Sequence, residues 1–93
     1  MKEIQVLQSA MFRRAYKRLH SNQKADVDDA VAEIVRNPTL GEAKIGDLAG
    51  IFVYKFRCSG QLTLLAYEYD DVSRMLKLLG SHENFYRDLK RDK

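Results

Sequence analysis

The feature that most constrains the fold is a change of hydrophobic period at Ile51. From there the side chains alternate as they do in a strand, so that one face carries Phe52, Tyr54, Phe56 and Cys58. Ser59-Gly60 is a two-residue hairpin signal, and the nearly continuous apolar run Leu62–Tyr69 is typical of a central strand. Asp70-Asp71 then turns the chain into a third run, Arg74–Leu79. Three consecutive strands joined by short turns predict an antiparallel meander.

The residues before this change carry one short strand and two helical patterns. Glu3–Leu7 alternates and predicts a strand, whereas the apolar residues of Ala10–Leu19 recur at helical spacing behind a capping Ser9. Asn22 can cap a second helix, which Asn37-Pro38 ends.

Together these elements predict an α+β architecture. An antiparallel sheet is made of the meander and the N-terminal strand, two helices pack on one face of it, and a short helix ends the chain. The glycine-punctuated segment Thr39–Asp47 predicts a loop. We expect a single domain over residues 1–93, because a chain of 93 residues is long enough for one hydrophobic core but too short for two.

Composition excludes several classes of protein. Hydrophobic residues make up 45% of the chain and charged residues 31%, which is typical of a globular protein. No apolar run approaches the roughly 18 residues that span a bilayer, and no signal sequence follows Met1, so we expect a cytoplasmic protein without a membrane partner. The lone Cys58 cannot form an internal disulfide, and two distant histidines offer no ligand spacing for zinc. We therefore expect no metal and no cofactor.

The net charge of +3 is the sum of many charges and conceals two basic clusters. The first predicted helix carries one cluster, Arg13, Arg14, Lys17 and Arg18. The C-terminus carries the other, Arg87, Lys90, Arg91 and Lys93. Such clusters suit a polyanion, but basic helix faces also keep small proteins soluble. Charge alone leaves both interpretations open.

Two cations lie on the face of the first meander strand that its aromatic residues leave free. The strand rise places Lys55 and Arg57, which share this face with Val53, roughly 6–7 Å apart. This spacing suits adjacent phosphates, or one phosphate with a developing negative charge. An ordinary polar outer face has the same pattern. Lys77 extends the cluster if the strand register brings it alongside.

The last quarter of the chain places proton-transferring side chains just after a strand. The strand Met75–Leu79 ends at Gly80, Ser81 can cap a following helix, and His82 and Tyr86 fall on one face of that helix. The positive end of the helix dipole favours a neutral imidazole, which can accept a proton. A solvated or locally bonded histidine is the alternative interpretation.

The remaining candidates are assigned structural roles. Phe85 and Leu89 form a different stripe of the last helix, suited to packing back on the sheet. Cys58 is interpreted as a small buried hydrophobe, because no cation or helix start lies beside it on its own strand face. His20 follows a helix without a partner in view and is also taken as structural.

The order of these elements, together with several short motifs, resembles the RelE/ParE superfamily of bacterial toxins. The resemblance covers essentially the whole chain and rests on Gly41, Lys44, Leu48-Ala49-Gly50, Tyr54-Lys55-Phe56-Arg57, Gly60, Ala66-Tyr67 and the ending Gly80-Ser81-His82-Glu83-Asn84-Phe85-Tyr86. His82 and Tyr86 also look like the histidine and following aromatic residue of the YafQ subgroup. Each motif is short, and the specificity comes from their order and spacing.

The resemblance implies the toxin of a type II toxin–antitoxin pair. In the RelE branch such toxins cleave mRNA in the ribosomal A site without a metal, through attack of a 2′-hydroxyl on the adjacent phosphate. His82 or Tyr86 then handles a proton, and Tyr86 can also stack on a base. Lys55 and Arg57 stabilise the phosphorane. Further nucleic-acid contacts are expected from Lys44, Arg74, Lys77, Arg87, Lys90 and Arg91.

One departure from the pattern leaves the branch open. RelE-like nucleases usually carry an arginine shortly after the hairpin glycine, and here Gln61-Leu62-Thr63-Leu64 follows Gly60. Arg74, Lys77 or Arg87 can substitute for it. The ParE branch shares the fold, lacks the nuclease residues and poisons DNA gyrase. A DNA-nicking nuclease and a non-catalytic module that binds nucleic acid or protein are further alternatives.

The family also implies a cognate antitoxin as partner. Acidic or amphipathic segments of an antitoxin can cover Lys55, Arg57 and the C-terminal helix. The basic first helix is the alternative surface for neutralisation.

Overall fold

Residues 3–81 and 85–91 are described by the structure, a computed structural model. In chain order the elements are β1 (Gln5–Gln8), α1 (Ala10–Lys17), α2 (Ser21–Arg36), β2 (Glu42–Ala43), a 3-10 turn (Gly46–Leu48), β3 (Phe52–Cys58), β4 (Gln61–Tyr69), β5 (Ser73–Ser81) and α3 (Phe85–Arg91). Within these two ranges, no helix is both long and apolar enough to cross a membrane.

The strands form one sheet in the order β1-β5-β4-β3-β2. β1 runs parallel to β5, and all other neighbours are antiparallel. The predicted meander and the α+β architecture are therefore confirmed. The loop predicted for residues 39–47 is wrong at its centre, because Glu42–Ala43 pairs with β3 as a short edge strand. The Lys44 N–H continues this pairing by donating to the Ile51 carbonyl at 2.9 Å.

The hairpin between β3 and β4 has the predicted two-residue turn. Ser59 and Gly60 have φ values of 50° and 84°. Positive φ at both central positions is the type I′ geometry, whose twist matches that of the flanking strands. Asp26 supports the turn, because its Oδ2 accepts a hydrogen bond from the Ser59 N–H at 2.8 Å. The resulting register places Lys55 opposite Leu64.

Ser9 caps the first helix as predicted. Its Oγ accepts a hydrogen bond from the Phe12 N–H at 3.0 Å and donates one to the Lys77 carbonyl at 2.5 Å. The second hydrogen bond links the N-terminus of α1 to β5. The helix ends at Lys17, two residues before the predicted end.

The cap predicted for the second helix is wrong. The helix begins at Ser21 with His20 at the N-cap, and the His20 N–H donates to Gln23 Oε1 at 2.9 Å. Asn22 lies in the first turn and donates instead to Ser59 Oγ at 3.0 Å. The structural role predicted for His20 is thus confirmed as a helix N-cap.

A first core lies between the sheet and the two long helices. Its buried members are Phe12, Val27, Ile34, Cys58, Leu65, Tyr67, Leu76 and Leu79, and the aromatic residues of β3 pack against them as predicted. The Tyr67 hydroxyl accepts from the Gly41 N–H at 2.9 Å and donates to the Pro38 carbonyl at 2.7 Å. A methyl group on Gly41 would lie 2.7 Å from the Tyr67 oxygen, so only glycine fits there.

A second core lies on the opposite face of the sheet, beneath α3. Its buried members are Leu48, Ile51, Val53, Leu64, Ala66, Leu78, Phe85 and Leu89. The expectation of one core is therefore wrong, because β4 carries apolar residues toward both faces and the four residues 64–67 are all 0% exposed. Val53, predicted on the polar face, belongs to this core. The predicted packing of Phe85 and Leu89 back on the sheet is confirmed.

The fifth strand is longer than predicted and contains a bulge. It ends at Ser81, which pairs with Thr63. The prediction that Ser81 caps a helix concerns residues 82–84, which lie outside the described residues, and it stays a prediction. Ala66 pairs with Leu78 while Tyr67 pairs with Leu76, which leaves Lys77 as the additional residue. The bulge lets Leu76 and Leu79 both face the first core, although three positions separate them.

Candidate nucleic-acid interface

The face of the sheet opposite α1 and α2, here called the second face, carries the predicted strand cations. Lys55 and Arg57 are exposed on β3 and lie beyond the edge of the second core. Arg57 Nη1 donates to the Gly60 carbonyl at 3.2 Å, which holds its side chain against the hairpin. Leu62, opposite Arg57, is 43% exposed. The hairpin end of this face therefore offers two cations and an apolar side chain to solvent.

Lys44 reaches the same face through the short edge strand. The pairing of Glu42 with Val53 places Glu42 and Lys44 on the second face, where the two form an ion pair. The hydrogen bond that Lys44 Nζ donates to the Glu42 carboxylate raises the pKa of Lys44 and lowers the pKa of Glu42. Lys44 is therefore a cation, partly neutralised by its neighbour.

Tyr86 is held on the same face by α3. The residue is half-buried, its ring meets Phe85 edge to face at 5.4 Å, and Lys44 Nζ lies 5.0 Å from its ring centroid. A side-chain hydrogen bond with Tyr86, in which the Lys44 ammonium is the donor, also contributes to the raised pKa of Lys44. The predicted candidates Lys44, Tyr86 and Lys90 line one groove of about 310 Å3, together with Ile45, Asp47 and Leu48.

Arg74 lies elsewhere, in the interior between β5 and α2. It is 5% exposed, and its guanidinium donates to the carbonyls of Ile34 at 3.2 Å and Val35 at 3.0 Å, at the C-terminal end of α2. The carbonyls of Asp70 and Ser73 accept from its Nη1. Because the last carbonyls of a helix lack helical partners, this cation satisfies them and complements the helix dipole. We therefore remove Arg74 from the predicted nucleic-acid contacts.

The strand register does not bring Lys77 alongside Lys55. β4 lies between their two strands, and Lys77 lies near the Ala66 and Tyr67 level, whereas Lys55 pairs with Leu64. Lys77 is largely covered and pairs with Glu68, with 3.2 Å between Nζ and Oε2. The extended cluster proposed from the sequence is therefore wrong in its geometry.

The C-terminal cations lie on the exposed side of α3. Arg87, Lys90 and Arg91 are exposed, and Arg87 Nε lies 3.9 Å from Asp88 Oδ1, which is at the limit of an ion pair. His82 lies outside the described residues. Its proposed position near Tyr86 and the strand cations stays a prediction.

Cys58 behaves as the sequence predicts. It is 5% exposed in the first core, and its thiol donates to the Gln23 carbonyl at 3.5 Å. Burial raises the pKa of the thiol, with a further contribution from the nearby Asp26 carboxylate. A neutral, covered thiol is a poor nucleophile.

Sequence reasoning missed the role of Glu42 and the position of Ile45. Glu42 partly neutralises Lys44, and the alternation of Glu42 with Lys44 is the signal that could have placed both on one strand face. Ile45 is 88% exposed at the mouth of the groove that Tyr86 lines. No periodic pattern in a short glycine-flanked segment marks such a side chain as exposed.

A five-stranded, mostly antiparallel sheet with these three helices is the fold of RelE-like toxins. E. coli RelE in the free state, as a double mutant, superposes with a TM-score of 0.73 at 19% identity, covering 98% of each chain. The RelBE2 toxin–antitoxin complex of Mycobacterium tuberculosis contains a chain with a TM-score of 0.71 at 23% identity, covering 86% of this chain and 99% of that one. A YoeB/ParE toxin from Agrobacterium tumefaciens gives 0.69 at 16% identity, covering 85% and 99%. At these identities the likeness concerns the fold.

The sequence itself identifies the family. Residues 6–90 match the model of the ParE-like toxins of type II bacterial toxin–antitoxin systems. The chain belongs to this family. No curated protein matches the sequence significantly.

Proposed function

We propose that this toxin is a metal-independent, ribosome-dependent mRNA endoribonuclease that inhibits translation. The observation that carries the proposal is the exposure of Lys55 and Arg57 on the sheet face over which α3 places Tyr86. Two cations roughly 6–7 Å apart on a strand can contact one phosphodiester and its neighbour. The Tyr86 ring, which lies next to Lys44 on the same face, can stack on a base, as in the recognition of single-stranded RNA.

In the proposed reaction the 2′-hydroxyl of the RNA attacks the adjacent phosphorus. The hydroxyl loses its proton, the bond from phosphorus to the 5′-oxygen breaks, and that oxygen takes up a proton. The products are a 2′,3′-cyclic phosphate and a free 5′-hydroxyl. Lys55 and Arg57 stabilise the charge of the phosphorane, while His82 or Tyr86 transfers a proton.

We also propose a cognate antitoxin as the partner that neutralises the toxin. The RelE-like chains of similar fold include members of RelBE and YoeB–YefM toxin–antitoxin complexes. An acidic segment that covers Lys55, Arg57 and α3 would block the proposed site directly. The exposed basic residues of α1 and its C-cap are the alternative surface, namely Arg13, Arg14, Lys17 and Arg18.

Inhibition of DNA gyrase is the second candidate function. RelE-like nucleases carry an arginine after the hairpin glycine that this chain lacks after Gly60, and three cations could replace it. The observation that favours gyrase inhibition is that two of these three cations already have partners within the protein. Arg74 is buried on helix carbonyls and Lys77 pairs with Glu68. Arg87 is then the remaining substitute among the three, and a nuclease with fewer phosphate contacts is less effective.

A side-by-side assay separates the two functions. Purified toxin is added to mRNA on translating ribosomes and, separately, to a gyrase supercoiling reaction. Endoribonuclease activity predicts mRNA cleavage that falls at least about a hundredfold in the double variant Lys55→Ala/Arg57→Ala. The matched control Arg13→Ala/Arg14→Ala, on exposed α1, retains cleavage. Intact mRNA together with inhibited supercoiling would reject the ribonuclease proposal in favour of gyrase.

A further inference from the structure

Half of the backbone groups of β1 point away from the sheet. The Gln5 N–H donates to the Val72 carbonyl and the Ser9 N–H to the Leu76 carbonyl, both at 2.9 Å on the β5 side. Because hydrogen bonding alternates along a strand, every second residue directs its N–H and C=O groups outward. These residues are Ile4, Val6 and Gln8. Within residues 3–81 and 85–91, no element pairs with this side of β1.

The exposed side chains of this edge are apolar, and none on β1 is charged. Val6 and Leu7 are 41% and 43% exposed between two glutamines. Val72 is also exposed, and its carbonyl accepts from β1, so three of the six large apolar side chains that the described residues expose lie at this edge. Edge strands usually carry charges, proline or a bulge that oppose pairing. A cluster of exposed apolar side chains without them indicates an interaction surface.

An apolar groove of about 200 Å3 lies beside β1 on the face toward α1 and α2. Its apolar lining consists of Val6, Phe12, Tyr16, Val31 and Leu76. Asp28 is the carboxylate of the lining, and it already accepts a hydrogen bond from the Tyr16 hydroxyl at 2.8 Å. The groove therefore suits an aliphatic side chain that enters from the sheet edge.

We propose that β1 pairs antiparallel with β1 of a second copy of this chain, about a two-fold axis at Val6. Val6 of the two copies then lie opposite each other, and Ile4 of each copy lies opposite Gln8 of the other. All three residues direct their backbone groups outward, so each of these pairs is a hydrogen-bonded pair. The two five-stranded sheets become one sheet of ten strands. This inference does not depend on the chemistry proposed for the toxin.

The side chains agree with this register on both faces of the sheet. Val6 of each copy lies at the apolar groove of the other, and Leu7 packs against Gln5 of the other copy on the second face. The pairing brings no like charges together, because β1 has none, and a two-fold axis closes the assembly at two copies. The paired segment is short, so we expect a reversible dimer with a Kd of about 10–500 µM.

Two other occupants fit this edge less well. A nucleic acid finds no cation on β1 to bind its phosphates. A charged segment of another protein finds no opposite charge on β1, so neither its affinity nor its choice of partner gains from electrostatic complementarity.

Sedimentation equilibrium of the purified toxin tests the proposal. The average mass is expected to rise from monomer to dimer between about 10 µM and 1 mM, and about 0.5 M salt should not weaken the dimer because no ion pair holds it. Val6→Lys brings two cations together at the axis and should raise the Kd at least about tenfold. Leu40→Lys, at an equally exposed leucine away from β1, should leave it within about twofold. Circular dichroism checks that both variants are folded.

Disulfide cross-linking tests the register. Opposite Cα atoms of a hydrogen-bonded pair are about 5.5 Å apart, so Val6→Cys is expected to cross-link with itself under mild oxidation. Leu7→Cys meets its own copy only diagonally, at about 7–8 Å, and should cross-link with Gln5→Cys instead when the two variants are mixed. The native Cys58 is buried and is the same in all variants.

Hydrogen exchange at rising protein concentration separates the two sides of β1. The amides of Val6 and Gln8 are expected to gain protection in the dimer, whereas the Leu7 amide, directed toward β5, should not change. A monomer at every concentration up to about 1 mM would overturn the proposal. So would a dimer that Val6→Lys leaves intact, or Leu7→Cys that cross-links with itself as readily as Val6→Cys.

Discussion

Arg74 and Lys55 are both strand cations in the sequence, and their surroundings in the structure are opposite. Lys55 lies on an exposed face, whereas Arg74 projects beneath α2 and lies over the Tyr69 ring at 5.6 Å. The difference follows from register, because Arg74 pairs with Val6 and Tyr69, both of which face the helices. A strand residue next to a helix C-terminus lies near carbonyl groups that have no hydrogen-bond donor within the helix. An arginine can donate to several of these carbonyls and stay charged.

The variant Arg74→Met tests this structural role. Removal of the Arg74 guanidinium leaves the Ile34 and Val35 carbonyls without their donors, and we expect the free energy of unfolding to fall by about 2–4 kcal/mol. Urea denaturation measures the change. Arg91→Met, on exposed α3, should alter stability by no more than about 0.5 kcal/mol. Similar stability in the two variants would contradict the assignment of Arg74 to the core.

Asp70 makes stability depend on pH through the turn between β4 and β5. Its carboxylate accepts from the N–H groups of Val72 and Ser73 and from the Ser73 hydroxyl, and the Val72 hydrogen bond is the largest cause of its lowered pKa. A carboxyl group with a lowered pKa in the folded state stabilises the protein above its unfolded pKa. That contribution is lost as the pH falls through the folded pKa.

The variant Asp70→Asn should therefore be less stable than the wild type at neutral pH. The difference in unfolding free energy is expected to shrink as the pH falls below the ordinary pKa of an aspartate toward the lowered pKa of the folded state, where the wild-type carboxyl group takes up its proton. Thermal unfolding across this range measures it, with Asp71→Asn as the control. A difference that stays constant throughout the acid titration of the folded protein would show that the Asp70 charge is not responsible.

At the scale of elements, β4 and the start of α1 determine how the layers join. β4 is buried on both faces, so it connects the core beneath α1 and α2 to the core beneath α3. Ser9 joins α1 to β5, because one hydroxyl accepts from the helix and donates to the Lys77 carbonyl at the bulge. The carbonyl of the bulged residue Lys77 therefore accepts a hydrogen bond from the cap of α1, and the bulge also shifts the strand register.

The variant Ser9→Ala should destabilise the protein by about 1–2 kcal/mol. The change removes an N-cap and leaves the Lys77 carbonyl without this donor. Chemical denaturation gives the value, and Ser21→Ala, at an exposed position in the first turn of α2, is the matched control. A loss below about 0.5 kcal/mol would mean that solvent replaces both hydrogen bonds at no cost.

At the scale of the whole molecule, the sheet is the middle of three layers and α3 is the smallest outer one. The described part of α3 has seven residues and is anchored in the second core by Phe85 and Leu89, which are 2% and 0% exposed. Since so short a helix is not stable alone, its position and that of Tyr86 depend on this packing. The position of Tyr86 in the proposed site therefore depends on the packing of the second core, although Phe85 and Leu89 are not part of that site.

The variant Leu89→Ala is expected to loosen α3 more than the sheet. Truncating a fully buried leucine typically costs about 2–5 kcal/mol, and local opening of α3 can absorb that loss. Hydrogen exchange should therefore accelerate in α3 by an order of magnitude or more, while the β4 amides stay protected. Lys90→Ala, on the exposed side of the helix, controls for helix propensity. Equal loss of protection in β4 would indicate one cooperative unit.

Much of the fold can be predicted from the sequence because it depends on local periodicity. The alternation after Ile51 and the Ser59-Gly60 turn predict the meander, and Ser9 predicts the start of α1, since strand period, turn type and capping are properties of neighbouring residues. The short edge strand is not predictable in this way. Its two residues form a strand because β3 lies beside them.

The candidate site is predictable only in part. The exposure of Lys55 and Arg57 follows from alternation on one strand, and it agrees with the sequence. The burial of Arg74 and the pairing of Lys44 with Glu42 and Tyr86 depend on contacts between elements far apart in the chain. No local pattern distinguishes a cation that binds helix carbonyls from one that faces solvent.

By itself the sequence determined the order of the elements other than β2, the faces of β3 and the membership of a toxin family, because these are carried by periodicity and by short motifs in a fixed order. Only the tertiary structure decided which cations remain exposed and that the sheet is covered on both faces. These features depend on strand register and on the bulge at Lys77. A shift of one residue moves a side chain to the other face of a sheet, so register decides each residue's surroundings and sequence pattern alone does not.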